Sequence, residues 1–119
     1  MFNFLNFFSK FLPLKIEFVS WNEDNLTISG NDWSFTTNSA WRVSKDNKLL
    51  FACWDENVIN SVKELMDISI INMSWIDDAQ AIDPLFSLSD GSRLEIFCTS
   101  SLEPWVLRCP DSNIYIGNS

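Results

Sequence analysis

Apolar and polar positions recur along this chain in two periods, and the switches between them mark its elements. Near the start, Phe4, Leu5, Phe7, Phe8, Phe11 and Leu12 share one side of a helical wheel, with Asn3, Asn6, Ser9 and Lys10 in a polar arc opposite. That spacing predicts an amphipathic helix ended by Pro13. Its apolar face would pack on the core or dock on a partner or a membrane surface. The helix is too short to span a bilayer, and its polar interruptions and late lysine are unlike a secretory signal.

Short strand-like runs follow at 16–19, 26–29, 33–37, 41–43 and 49–54, split by the polar turns 22–25, 30–32 and 44–48. At Asp55 the period lengthens. Val58, Ile59, Val62, Leu65 and Met66 form one stripe, predicting a helix over 55–66 with Asp55 as N-cap and Glu56 in its first turn. Five more runs, 68–75, 85–88, 93–98, 105–109 and 114–116, read as an antiparallel meander. The pattern therefore predicts a single α+β domain over 1–119, a mostly antiparallel β-sheet meander with an N-terminal amphipathic helix and one central helix.

Asp90-Gly91 between two apolar runs is a strong hairpin signal, and a two-residue type I′ turn there sets Leu88 opposite Arg93 and Phe86 opposite Glu95. Carrying the meander onward puts Glu95 beside Arg108, Cys98 opposite Trp105 and Arg108 opposite Tyr115. The expectation is one row on one face, Phe86, Glu95, Arg108 and Tyr115, with Leu85, Leu94, Ile96, Leu107, Cys109 and Ile114 turned into the core.

Composition sharpens this picture at two points. Six Trp and ten Phe in 119 residues allow a core built from few side chains, with rings to spare for an interface. Eight Lys and Arg against sixteen Asp and Glu give a charge of −8, which disfavours nucleic acid and anionic lipid and steers a basic protein toward the surface. The same charge would also serve solubility.

Catalytic chemistry finds little to use. The chain has no His and only three Gly, with no phosphate-cradling or nucleophile-elbow motif. Cys53, Cys98 and Cys109 have no metal-like spacing and suit a reducing compartment, so no metal or cofactor is expected. Asp77, Asp78 and Asp83 lack the spacing of a calcium loop. The expectation is a non-enzymatic binding protein, monomeric when free. Its partner-binding candidates are the acids Glu23, Asp24, Asp55, Glu56, Asp77, Asp78 and Asp83, with Trp54 and Trp75 as aromatic anchors beside them.

The stretch Pro84-Leu85-Phe86-Ser87-Leu88-Ser89-Asp90-Gly91-Ser92-Arg93-Leu94-Glu95-Ile96-Phe97, followed by Glu103-Pro104-Trp105-Val106-Leu107, resembles a hairpin pattern of small bacterial immunity proteins. The comparison is with those of contact-dependent growth inhibition and related polymorphic toxin systems, and it covers about a third of the chain. The resemblance implies a cytoplasmic, non-enzymatic antitoxin that binds one cognate toxin domain, commonly a basic nuclease, by covering its active site or substrate groove. The alternatives are an adaptor or subunit that binds another protein through its aromatic face, or a small-ligand-binding module.

Overall fold

The computed structural model describes residues 3–22, 24–98 and 103–117. Helix α1 (Phe4–Ser9) begins at Asn3, whose side-chain oxygen accepts a hydrogen bond from the Asn6 amide at 3.1 Å. Phe8 is fully buried, and Phe4, Leu5, Phe7, Phe11 and Leu12 pack against the core around it. The amphipathic face is thus a core-packing face. Regular helix stops at Ser9, earlier than the pattern suggests, and two tighter turns carry the chain to Pro13.

Among the described residues eleven strands follow: β1 (Leu14–Lys15), β2 (Phe18–Asn22), β3 (Asn25–Ser29), β4 (Ser34–Thr37), β5 (Ala40–Lys45), β6 (Lys48–Ala52), β7 (Ser69–Trp75), β8 (Pro84–Leu88), β9 (Arg93–Phe97), β10 (Trp105–Arg108) and β11 (Ile114–Ile116). Between β6 and β7 lie helix α2 (Val58–Ser61) and a 3-10 turn (Val62–Leu65). The fold is α+β with two antiparallel sheets, one ordered β1-β7-β8-β9-β5-β6 and the other β11-β10-β4-β3-β2. Alternation explains why they stack. Leu26, Ile28 and Phe35 on one sheet, and Trp41, Val43, Phe86, Leu88, Leu94 and Ile96 on the other, are all buried in a shared core. Phe35 and Phe86 meet across it, edge to face, with centroids 4.9 Å apart. Helix α1 packs on β7, and α2 with the 3-10 turn packs on β2 and β6, so each helical segment covers one flank of the stack.

The central helix is shorter than its stripe implies. Val58, Val62 and Leu65 are buried, but Ile59 is 60% exposed and Met66 lies outside the last turn. Asp55 is not its cap. Its carboxylate accepts from the Ala52 amide at 2.8 Å and closes the turn that ends β6, while Asn57 stands at the helix start. The strand run expected to reach Trp54 accordingly stops at Ala52.

Two pairings differ from the simple meander. The β8–β9 hairpin turns through three residues, Ser89-Asp90-Gly91, with Gly91 at φ 89° and Leu88 bonded to Ser92. Asp90 accepts from both the amide and the hydroxyl of Ser92, which favours this longer loop. The register moves by one residue, so Phe86 faces Leu94 and goes into the core, and Leu85 faces Glu95. Second, β9 pairs with β5, and β10 crosses to the other sheet beside β4. Glu95 therefore meets Arg42 instead of Arg108, Cys98 does not face Trp105, and Arg108 pairs with Ile114 instead of Tyr115. The expected row of Phe86, Glu95, Arg108 and Tyr115 does not form, and Ile114 is 60% exposed. The three cysteines carry no disulfide.

Glu95 is 4% exposed on the outer face of the six-stranded sheet. Arg42 donates to both of its oxygens at 3.2 Å and the Ser44 hydroxyl donates at 2.9 Å, with the Arg42 guanidinium 5.0 Å from the Phe97 ring centre. Burial pushes this carboxyl up, but the bonds from Arg42 and Ser44 and the charges of Arg42 and Arg93 outweigh it, and its pKa is lowered. Its contribution to stability is present above the ordinary value of 4.5 and is lost as pH falls below it. Glu95→Gln should lower unfolding free energy by about 1–2 kcal/mol at pH 7. Urea titrations of both proteins at pH 7 and pH 3 should show that gap closing in acid.

Candidate functional site

Antiparallel strand order collects alternate connections at one end of the stack. The β2–β3 turn (22–25), the β4–β5 link (38–39), the segment after β6 (53–57), the β7–β8 loop (76–83) and the β9–β10 link (98–104) all leave from this end, as the registers Leu26↔Thr37, Trp105↔Thr37, Ala40↔Phe97, Arg42↔Ala52 and Trp75↔Pro84 require. The Thr37 hydroxyl donates to the Pro104 carbonyl at 2.7 Å and Ser39 donates to it at 3.3 Å, tying the two inter-sheet links together.

Sequence loads this end with one sign of charge. Asp24, Asp55, Glu56, Asp77, Asp78, Asp83 and Glu103 lie in these connections, and no Lys or Arg occurs in any of them. Of the fifteen acidic residues among the described ones seven are here, and the other eight are matched by all eight Lys and Arg of the chain. Nearly all of the net charge of −8 therefore belongs to one end. Five of the six Trp gather at the same end: Trp21, Trp41, Trp75 and Trp105 at strand termini and Trp54 in the segment after β6.

The expected partner residues separate into two kinds. Asp24, Glu56, Asp77 and Asp78 are exposed. Asp24 sits at φ 67° in its turn, and Asp77 accepts from the Ala79 amide at 2.9 Å, a local turn bond that leaves its charge in solvent. Trp54 stands out at 64% exposure. By contrast Asp55 is engaged at Ala52, and Asp83 accepts from the Cys98 amide at 2.8 Å, so both carboxylates hold backbone together. Glu23 lies outside the described residues. Trp75 is half-buried and packs on Phe4 and Trp105, at 6.3 and 6.5 Å between centroids. The 53–57 segment leaves β6 and the 76–83 loop enters β8, with β9 and β5 between them, so about 14 Å of sheet separates their nearest attachments. The acids make a rim and not a cluster.

Glu103, at φ 44° just before β10, also belongs to the rim, and its place two residues before Trp105 is the acid-beside-tryptophan signal that marks it in the sequence. A different feature escaped the sequence pattern. Phe4, Trp75, Ala81, Trp105, Tyr115, Ile116 and Gly117 line a cleft of about 250 Å³ where α1 meets the rim. Contact between the first turn of α1 and the distant strands β7, β10 and β11 creates it, and no local spacing encodes that contact.

Two of the three cysteine thiols are held in their neutral form. Burial first, then the hydrogen bond and negative charge of Asp83, push the Cys98 thiol up to about 12, and its Sγ donates to the Ile82 carbonyl at 3.1 Å. Cys109 is pushed up to about 11 by burial and by Asp111. Neither is a thiolate nucleophile at neutral pH. Among the described residues no three His, Cys, Asp or Glu side chains converge as metal ligands. No helix of these residues is long and apolar enough to cross a membrane. Comparisons with protein families, with curated proteins and with solved structures find no match.

Proposed function

We propose that this protein is a non-catalytic binding protein that captures a basic protein partner on the acid-rimmed end of its two-sheet stack. The observation that carries this is the placement of charge: seven carboxylates and no cation in the connections of one end, with the remainder nearly neutral. Such a surface draws a cationic partner from a distance, and exposed Trp54 offers it a ring to cover. The resemblance of 84–97 and 103–107 to immunity proteins names the partner class. We take it to be a basic toxin domain, most simply a nuclease, whose phosphate-binding groove the carboxylates occupy in the cytosol. The meander part of that resemblance does not extend to the pairing of β9 with β10, so it bears on the strand motifs alone.

The test is co-expression with the C-terminal domain encoded by the adjacent upstream gene. Protection of growth and a stoichiometric complex are expected. Its Kd should be nanomolar at low salt and weaken by roughly 10-fold or more on raising salt from 50 to 500 mM. A complex indifferent to salt, or no complex at all, overturns the proposal.

A further inference from the structure

A second cleft opens on the outer face of the six-stranded sheet, and its charge is the reverse of the rim's. Strand registers build it. Arg93 and Leu49 lie opposite Ser44 on either side of β5, and Glu95 lies opposite Arg42. Asp46 and Asn47, at φ 54° and 62°, make the two-residue turn that brings Asn47 to the same opening. Arg42, Ser44, Asn47, Leu49, Arg93 and Glu95 together line a volume of about 270 Å³. The groups left facing the opening are donors. The Glu95 side chain is 5% exposed and already occupied, accepting from Arg42 Nε and Nη2 and from the Ser44 hydroxyl. That grip takes two of the five N–H donors of Arg42, whose side chain is 45% exposed and held over the Phe97 ring. Arg93 is exposed, and among the described residues its guanidinium makes no ion pair or hydrogen bond. The Asn47 carboxamide has no partner among them either. The acids of the flanking turns do not line the cleft, and Asp90 is bonded to Ser92 with Lys45 beside it.

Two guanidiniums at one opening suit an oxyanion, and their planar forks match the paired oxygens of a carboxylate. Arg42 is held in place by Glu95 and Phe97 before any ligand arrives, so little side-chain freedom is lost on binding. Charge sets the valence of the ligand. Arg42 and Arg93 contribute +2 and Glu95 −1, and the remaining +1 is neutralised by a monoanion. Space and Leu49 set its shape: the cleft is larger than a bare carboxylate, and Leu49, 54% exposed, offers an apolar wall. We infer that this cleft binds a carboxylate carried on an apolar chain, with Arg42 and Arg93 donating to its oxygens and the chain lying on Leu49. The inference does not depend on the capture surface proposed above.

The probes are hexanoate and Nα-acetyl-leucine, followed by the Nε–H signals of Arg42 and Arg93 and the carboxamide signals of Asn47 in 15N-labelled protein. Saturable shifts are expected with both. The tighter of the two names the source, a free acid or a peptide C-terminus, whose amide the Asn47 carboxamide would meet. Hexanamide, uncharged and of the same length, should bind roughly 10-fold more weakly than hexanoate, and acetate several-fold more weakly. Arg93→Gln breaks no ion pair or hydrogen bond within the described fold, so it should keep the native spectrum and lose roughly 10-fold in affinity. Leu49→Ser should erase the advantage of hexanoate over acetate. No saturable shift, equal binding of hexanamide, sulfate binding more tightly than hexanoate, or undiminished affinity in folded Arg93→Gln overturns the inference. So does a hexanoate advantage that survives Leu49→Ser in full.

Discussion

Phe86→Ala is expected to destabilise the protein by about 3–5 kcal/mol, the largest effect of any single substitution considered for this chain. The ring is fully buried and meets Phe35 of the opposite sheet at 4.9 Å, so its loss opens a void between two sheets that cannot close without shifting both. Denaturant unfolding at pH 7 reads the effect directly. A loss of about 2 kcal/mol or less is what an outer-face position would give, and would contradict the β8–β9 register. Phe97→Ala provides the contrast. That residue is half-buried on the outer face, under the Arg42 guanidinium, and its removal should cost about 1–2 kcal/mol.

Phe86 also marks where the sequence stops being legible. Period-two alternation locates strands, because a strand half-buried on one face must alternate, and nearly every run read as a strand is one. Register is a finer matter. Asp90-Gly91 reads as a two-residue turn, yet the apolar set Phe86, Leu88, Leu94 and Ile96 reaches one face only if Phe86 pairs with Leu94, and a third loop residue supplies the step. Core burial outweighs the local turn preference. Partner choice is less legible still. Nothing near β9 says that it pairs with β5, some fifty residues earlier, or that β10 joins the other sheet, because those contacts are decided by closing the whole core. Asp55 shows the same limit at one side chain. An acid before an apolar helical stripe reads as a cap, but the nearer unpaired amide is that of Ala52, at the strand it has just left. For the candidate site, the acidic loops were visible one by one. Their meeting at one end follows from strand direction, and the cleft from α1 packing on a strand some seventy residues away.

Reversing the exposed rim should slow association with a basic partner by about 10- to 100-fold at low salt while leaving the fold intact. Glu56→Lys, Asp77→Lys and Asp78→Lys together take the net charge from −8 to about −2 and place three cations where a cationic partner approaches. All three residues are exposed, and only Asp77 gives up a hydrogen bond, to the Ala79 amide, so stability should change by about 1 kcal/mol or less. Asp55 and Asp83 are left alone because their carboxylates hold the backbone at Ala52 and Cys98. Stopped-flow association and dissociation rates separate the two routes by which charge acts. Steering predicts a fall in the on-rate that shrinks as salt rises and a nearly constant off-rate. Asp32→Lys with Asp111→Lys puts two reversals at the opposite end, beyond strands of about 17 Å and so beyond a Debye length of about 10 Å. That pair should leave the on-rate within about 2-fold of the parent. Equal slowing by both sets would mean that total charge, and not the rim, draws the partner. An unchanged on-rate in the triple variant would move the capture surface away from this end altogether.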